Sequence, residues 1–232
     1  MKNPITWGYA SLRERGLTRT LSSAVSFIDN WWFDLRYGTD TAAVVQTPLL
    51  DIPAQVKALA HEYRASKAAP MRKLLEAAEL PENKVFLDMG CGKGKALMIA
   101  ADYGCQKLIG VEYSPTLCER ARDNLQARLK NRPEVAFEVV QGDAAEYEFR
   151  DDENVIYFYN PFAAPIARSV LRSLERSLQR VPRQVWLLYY VCEFRESFDE
   201  CPFLELKAAP VFGGCEHLIF INRCYLPRVN TA

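Results

Sequence analysis

The stretch Val85–Ala101, VFLDMGCGKGKALMIAA, carries an apolar run, an acid and three glycines on alternate positions. Val85, Phe86 and Leu87 read as a buried strand. Ala96–Ala101, nearly free of polar side chains, reads as a buried helix. Between them Gly90, Gly92 and Gly94 form a strand-to-helix turn that admits tight backbone conformations and lets a ligand approach without meeting Cβ atoms. A dinucleotide fingerprint, G-x-G-x-x-G, does not fit: its last glycine falls on Lys95 or on Leu97. A phosphate loop fails too, because Lys95 is followed by Ala96. What remains is acid-x-Gly-x-Gly-x-Gly. Asp88 at that position repels a pyrophosphate and suits a ligand that carries positive charge.

From this turn outward the chain alternates strand and helix. KLIGVE (Lys107–Glu112) is a second strand, and a helix behind Ser114 and Pro115 places Leu117, Ala121, Leu125 and Leu129 on one face. VAFEVVQGD is a third strand ending at Asp143. NVIYFYN is a fourth, followed by a helix that aligns Ile166, Val170, Leu174 and Leu178, and QVWLLYYV is a fifth. FLELKAAPVFGGCEHLIFI reads as two strands joined through Gly213-Gly214. The pattern predicts an α/β fold: a doubly wound, mostly parallel seven-stranded sheet closed by a C-terminal antiparallel hairpin, with helices on both faces. Ligands in such sheets bind at the carboxyl ends of the strands. There, Glu112 suits the vicinal hydroxyls of a ribose, and Asp143 suits an exocyclic amine such as adenine N6.

Ahead of this region the pattern is helical and rich in aromatics. Leu21, Val25, Ile28 and Trp32 share one helix face, which Ala24, Phe27 and Trp31 widen, so a helix covered on more than one side is expected. FDLRYGTDTA (33–42) reads as a loop. A further helix is expected from Pro53 to Ser66, and another where Met71, Leu74, Leu75 and Ala78 recur behind Pro70.

With 232 residues, 29 basic and 29 acidic, the charges balance, so there is no general attraction to nucleic acid or to an anionic membrane. No segment reaches the about 18–20 apolar residues of a membrane span, and the N-terminus lacks the apolar region of a secretory signal. Seven cysteines without a C-x-x-C suggest reduced thiols in the cytoplasm and no metal site. Cys91 reads as a small side chain tucked under the glycine turn.

VFLDMGCGKG, IGVEYSP and VVQGDA resemble motifs I, II and III of the class I S-adenosylmethionine-dependent methyltransferases, over roughly Pro70 to Arg223. The resemblance implies S-adenosylmethionine as cofactor. It places Asp88, Gly90, Gly92 and Gly94 at the methionine part, Glu112 at the ribose, and Asp143 with Ala144 at the adenine. Cys91 and Tyr113 complete that set. It also implies two regions, an N-terminal helical extension or lid over residues 1–67 and a Rossmann-like methyltransferase domain over 68–232. WWFDLRYGTDT (Trp31–Thr41) resembles a segment of bacterial methyltransferase-like proteins, and such elements commonly cap the cofactor pocket, with Tyr37 expected above it. HEYRASKAAP (His61–Pro70) resembles a stretch that precedes motif I in some protein-lysine methyltransferases, which nominates Tyr63 and Ser66 for cofactor contact.

On the acceptor side, Asn160-Pro161-Phe162 follows the fourth strand and partly resembles the [DN]-P-P-[YF] motif of enzymes that methylate planar nitrogens. One proline is present and the aromatic stands a residue early. Asn160, Pro161 and Phe162 are therefore the catalytic candidates. With strand neighbours alternating faces, Asn160 rather than Tyr159 is expected to face the site. The reading is methyl transfer to a nitrogen of a protein side chain or small molecule. A nucleic-acid methyltransferase and a non-catalytic S-adenosylmethionine-binding module are the alternatives. The arginines of ERARDNLQARLKNR and ARSVLRSLERSLQR read as solvated faces with i,i+4 pairs.

Overall fold

The computed structural model describes residues 28–29, 31–43, 45–46, 51–52, 65–159, 164–190, 194–212 and 214–223. The expected helix face at Leu21–Phe27, most of the Pro53–Ser66 segment, and Tyr63, Asn160, Pro161 and Phe162 lie outside these residues. Within them the strands are β1 (Lys84–Met89), β2 (Cys105–Glu112), β3 (Ala136–Gln141), β4 (Val155–Tyr159), β5 (Trp186–Tyr190), β6 (Leu204–Ala208), β7 (Val211–Phe212) and β8 (Cys215–Asn222). Their order is β3-β2-β1-β4-β5-β8-β6, with β7 beside β8. The first five are parallel and β8 runs antiparallel to β5 and β6, as the alternation predicts. The outer arm of the terminal hairpin is broken. A register shift between Leu206 and Ala208, together with Pro210, splits it into β6 and the two-residue β7, giving an eighth strand.

Helices cover both faces. Helix α1 (residues 31–37), α2 (Ala68–Ala77), α3 (Lys95–Ala101) and α4 (Pro115–Leu129) pack on the side of Phe86, Leu108, Tyr157 and Leu188. Helix α5 (Ala164–Arg180) and the short α6 (Arg195–Asp199) pack on the side of Leu87, Ile109, Ile156 and Leu187. The periodicities hold: Met71, Leu74, Leu75 and Ala78 are buried, as are Leu117, Ala121, Leu125 and Leu129. Ser114 caps α4 by accepting from the Leu117 N–H at 3.3 Å.

Two N-terminal expectations change. Helix α1 continues through Tyr37, so the FDLRY part of the supposed loop is helical. Phe33 and Tyr37 lie one turn apart, their rings meet edge to face at 4.8 Å, and the pair supplies the contact that holds the last turn. Gly38, at φ +66°, then ends the helix. The face expected to be covered is open over its described part: Ile28, Trp31, Trp32 and Leu35 are exposed, and only Phe33 is buried. Residues 65–67 are not helical, which removes the end of the helix expected up to Ser66.

Close packing beneath the glycine turn fixes Gly110 on β2. A Cβ there would lie 2.6 Å from Cys91 Sγ, 2.9 Å from Cys91 Cβ and 2.9 Å from the Leu97 side chain. Gly110→Ala should therefore lower stability by about 1–3 kcal/mol in a denaturant titration, the usual range for overpacking, and Cys91→Ala in the same chain should restore part of that loss. Unchanged stability in the single variant would show that the turn can move away from β2.

Candidate functional site

The carboxyl ends of β1, β2 and β3 meet on one edge of the sheet, and the sequence-nominated acids meet there with them. Asp88 is the penultimate residue of β1 and 3% exposed. Burial, and then the nearby Glu112, push its pKa well above the usual carboxylate range. Beyond it the chain turns through Gly90 (φ +85°), Gly92 (φ +53°) and Gly94 (φ +80°). All three occupy the left-handed region, which explains why this turn needs glycine at alternate positions. The Gly90 and Cys91 N–H groups both donate to the Val111 carbonyl, at 2.9 and 3.0 Å, which ties the turn to β2. Cys91 is buried under it, as expected, and burial raises its pKa far above that of a reactive thiol.

Glu112 ends β2 and is half-buried. One carboxylate oxygen accepts from the Gly92 N–H at 3.0 Å and the other from the Ser114 N–H at 2.9 Å, with the half-buried Tyr113 between. Desolvation nevertheless raises its pKa. Each oxygen keeps a second lone pair, so Glu112 retains the capacity to accept from a diol. Two residues past β3, Asp143 accepts from the Ala145 N–H at 2.8 Å and starts the short helical turn Ala144–Glu146. Asp143 and Gly142 border an open hollow of about 310 Å³, lined also by Val111, Val140 and Tyr147. Asp88, Gly90, Cys91, Gly92, Gly94, Glu112, Tyr113, Asp143 and Ala144 thus fall along one sheet edge.

Ser66 is buried and within hydrogen-bonding distance of the Tyr157 hydroxyl, at 3.1 Å. Tyr157 pairs in register with Asp88, so the two share a face. That register carries Tyr159 onto the same face of the sheet, and Asn160, expected to face the site rather than Tyr159, lies outside the described residues. Tyr159 is half-buried at the end of β4 and meets Tyr190 edge to face at 4.6 Å. Tyr190 in turn meets His217 at 4.5 Å.

Three groups hold the turns in place, and two of them, Asn124 and Asp51, the sequence reading did not single out. Asn124, buried on α4, donates to the carbonyls of Lys93 (3.0 Å) and Asp40 (3.2 Å) and accepts from the Asp40 N–H (2.9 Å). A polar residue at an apolar-face position of α4 is the signal that points to it. Asp34 accepts from both Thr41 groups and from the Thr39 hydroxyl and Ala42 N–H, at 2.7–2.9 Å, and so closes the segment after α1. Asp51 accepts from the Ser114 hydroxyl, the Thr116 N–H (3.1 Å) and the Thr116 hydroxyl (2.7 Å), at the start of α4. Tyr37, expected above the cofactor, packs against the Arg128 guanidinium at 4.1 Å, near the other end of α4.

A buried acid, a turn of three left-handed glycines and a carboxylate at the end of β2 thus stand together at the carboxyl edge of the sheet. In comparisons with known proteins, residues 86–181 match the family model of the methyltransferase domain. A protein-lysine N-methyltransferase of Saccharolobus islandicus (strain REY15A) is 30% identical over 89 residues, 38% of this chain and 53% of that protein, so the chain matches about half the length of this curated relative. Among solved structures, a protein of the NADB-Rossmann superfamily from Streptococcus agalactiae superposes with a TM-score of 0.52 at 14% identity, over 70% of each chain. A SAM-dependent methyltransferase from Aquifex aeolicus gives 0.53 at 12%, over 66% of this chain and 89% of that one. A candidate RNA methyltransferase from Pyrococcus horikoshii gives 0.50 at 17%, over 72% and 87%. At these identities the superpositions speak for the fold.

The raised Asp88 pKa has a testable sign. Its folded value lies above its unfolded value, so its contribution to stability is present at acid pH, below the unfolded pKa of about 3.9, and is lost as pH rises through the folded value. Asp88→Asn should therefore raise the melting temperature at neutral pH by a few degrees and flatten this pH dependence, while weakening S-adenosylmethionine binding. A variant that is less stable at neutral pH would overturn this account of Asp88.

With the glycine turn and the domain match together, residues 86–181 are similar to the methyltransferase domain, on a mostly parallel α/β sheet with helices on both faces.

Proposed function

We propose that this protein binds S-adenosylmethionine and transfers its methyl group to an amine nitrogen on a protein side chain, lysine above all, in the cytoplasm. The observation that carries the cofactor part is the buried Asp88 beside three left-handed glycines, with Glu112 closing the turn. A cationic amino-acid group relieves the cost of an ionised Asp88, and the bare turn admits it. When bound, S-adenosylmethionine supplies a methyl group on a sulfonium that needs no further activation. The protein's task is to orient the acceptor nitrogen in line with it.

Tyr159, Tyr190 and His217 form an aromatic row across β4, β5 and β8, in which Tyr190 and His217 are buried and Tyr159 is half-buried at the strand end. Burial pushes the Tyr190 hydroxyl pKa up and that of His217 down, so both favour the uncharged form at neutral pH. Asn160, Pro161 and Phe162, which follow Tyr159 directly, are proposed to orient the acceptor.

The methyltransferase relative supports a lysine acceptor. The RNA methyltransferase likeness supports the nucleic-acid alternative, but the surface charges favour it less. Arg176 pairs with Glu148 and Arg180 with Asp151, and Arg150 pairs with Glu138. These bridges run between elements rather than along helices as expected, and they neutralise the cations that phosphate binding uses.

Two measurements test the reading. Glu112→Ala should weaken S-adenosylhomocysteine binding at least about tenfold in calorimetry, since charge-assisted hydrogen bonds are lost. Asn160→Ala should leave that affinity nearly intact and cut methyl transfer about 10²-fold, the scale for lost positioning. Methyl-labelled cofactor incubated with fractionated cell extract should mark protein, recoverable as methyl-lysine. Label in nucleic acid alone would move the assignment to the alternative.

A further inference from the structure

The two turns that would hold the cofactor are gripped from outside by one N-terminal strap. Residues 33–43 lie along α3 and α4, with Phe33 beneath the Lys95 ammonium at 4.7 Å and Tyr37 against Arg128. Lys93 stands between Gly92 and Gly94. Its side chain pairs with Asp40 at 3.2 Å, and its carbonyl shares Asn124 with the Asp40 backbone. At the second turn, Asp51 holds Ser114 and Thr116, while the Ser114 N–H donates to Glu112. The two grips converge on one hydrogen bond, from the Gly92 N–H to Glu112 at 3.0 Å.

We infer that residues 33–43 and Asp51 act as a positioning strap for the cofactor site, setting the glycine turn through Asn124 and Lys93 and the Glu112 turn through Ser114. Asp40, Asp51 and Asn124 are positioning residues: they act through Gly92 and Glu112. This inference rests on the proposed cofactor. A turn with three left-handed glycines has little stiffness of its own. An acceptor aimed at a ribose must hold its direction to within a fraction of an ångström. The strap supplies both constraints from side chains distant in sequence. Coupling of this kind is reciprocal: whatever factor the strap adds to cofactor affinity, bound cofactor adds to the order of the strap.

S-adenosylhomocysteine titrated calorimetrically into the full chain and into Asp51→Ala, Asn124→Ala and the double variant tests this. Asp51 and Thr116 are exposed, so the Asp51 variant is expected to fold. Each single change should raise Kd about tenfold, and the double change should raise it by clearly less than the product, because both act on one hydrogen bond. Added ligand should also slow amide exchange at residues 39–42 in the parent. A purely structural role would lower melting temperature while leaving Kd within about twofold in both singles, and that result overturns the inference. A parent chain that fails to bind S-adenosylhomocysteine at all overturns the cofactor reading instead, and this inference with it.

Discussion

An acid buried at the end of the central strand is the constraint on which the site is built. Asp88 is almost fully shielded, between β2 and β4, and after burial it is a second acid, Glu112, that raises its pKa. Neither arrangement serves folding: desolvating a carboxyl is costly, and placing two together adds to the cost. Both make sense if a cation belongs beside them. The apolar sheet and its helices must then supply enough stability to carry a site that opposes them, a trade often seen where binding is at stake.

The second requirement is a backbone that leaves room. Three successive left-handed glycines give that room and would collapse without support. From below, Cys91 and Leu97 fill the space over Gly110, so the turn rests on β2 with no gap. From the side, Ala121 of α4 lies 3.4 Å from where a Cβ on Gly94 would stand. From outside, Asn124 joins the turn to the N-terminal segment. Among the described residues, the turn is thus braced from below, from the side and from outside.

How much of this was legible follows the range of the interactions. The glycine turn, the strand ends at Glu112 and Asp143 and the helix faces depend on neighbours a few residues apart, and local pattern found them. The strap depends on contacts such as Asp40 with Asn124, which are 84 residues apart. Asp51 sits in a stretch with no periodicity to mark it. Helix α1 was cut short in the reading because polar residues surround Phe33 and Tyr37, whose ring contact is visible only once the helix exists. The register of β4 against β1, which sets Tyr157 opposite Asp88, is a tertiary fact with no local signal. The split outer arm of the hairpin had a local signal in Pro210, but the shift against β8 did not.

The sheet divides its chemistry by halves. β1, β2 and β3 carry acids at or just beyond their carboxyl ends, whereas β4, β5 and β8 bring Tyr157, Tyr159, Tyr190 and His217 to the same face. The strand order reverses between β1 and β4, so the chain connections leave a crevice there, the place where doubly wound sheets take ligands. Asp88 and Tyr157 stand on either side of that line, directly opposite one another. In the proposed reading, the cofactor lies against the acidic half and the acceptor enters beyond the end of β4, so that the two meet above it. Methyl transfer needs no more of a scaffold than two neighbouring subsites of unlike character, held at fixed separation by adjacent parallel strands.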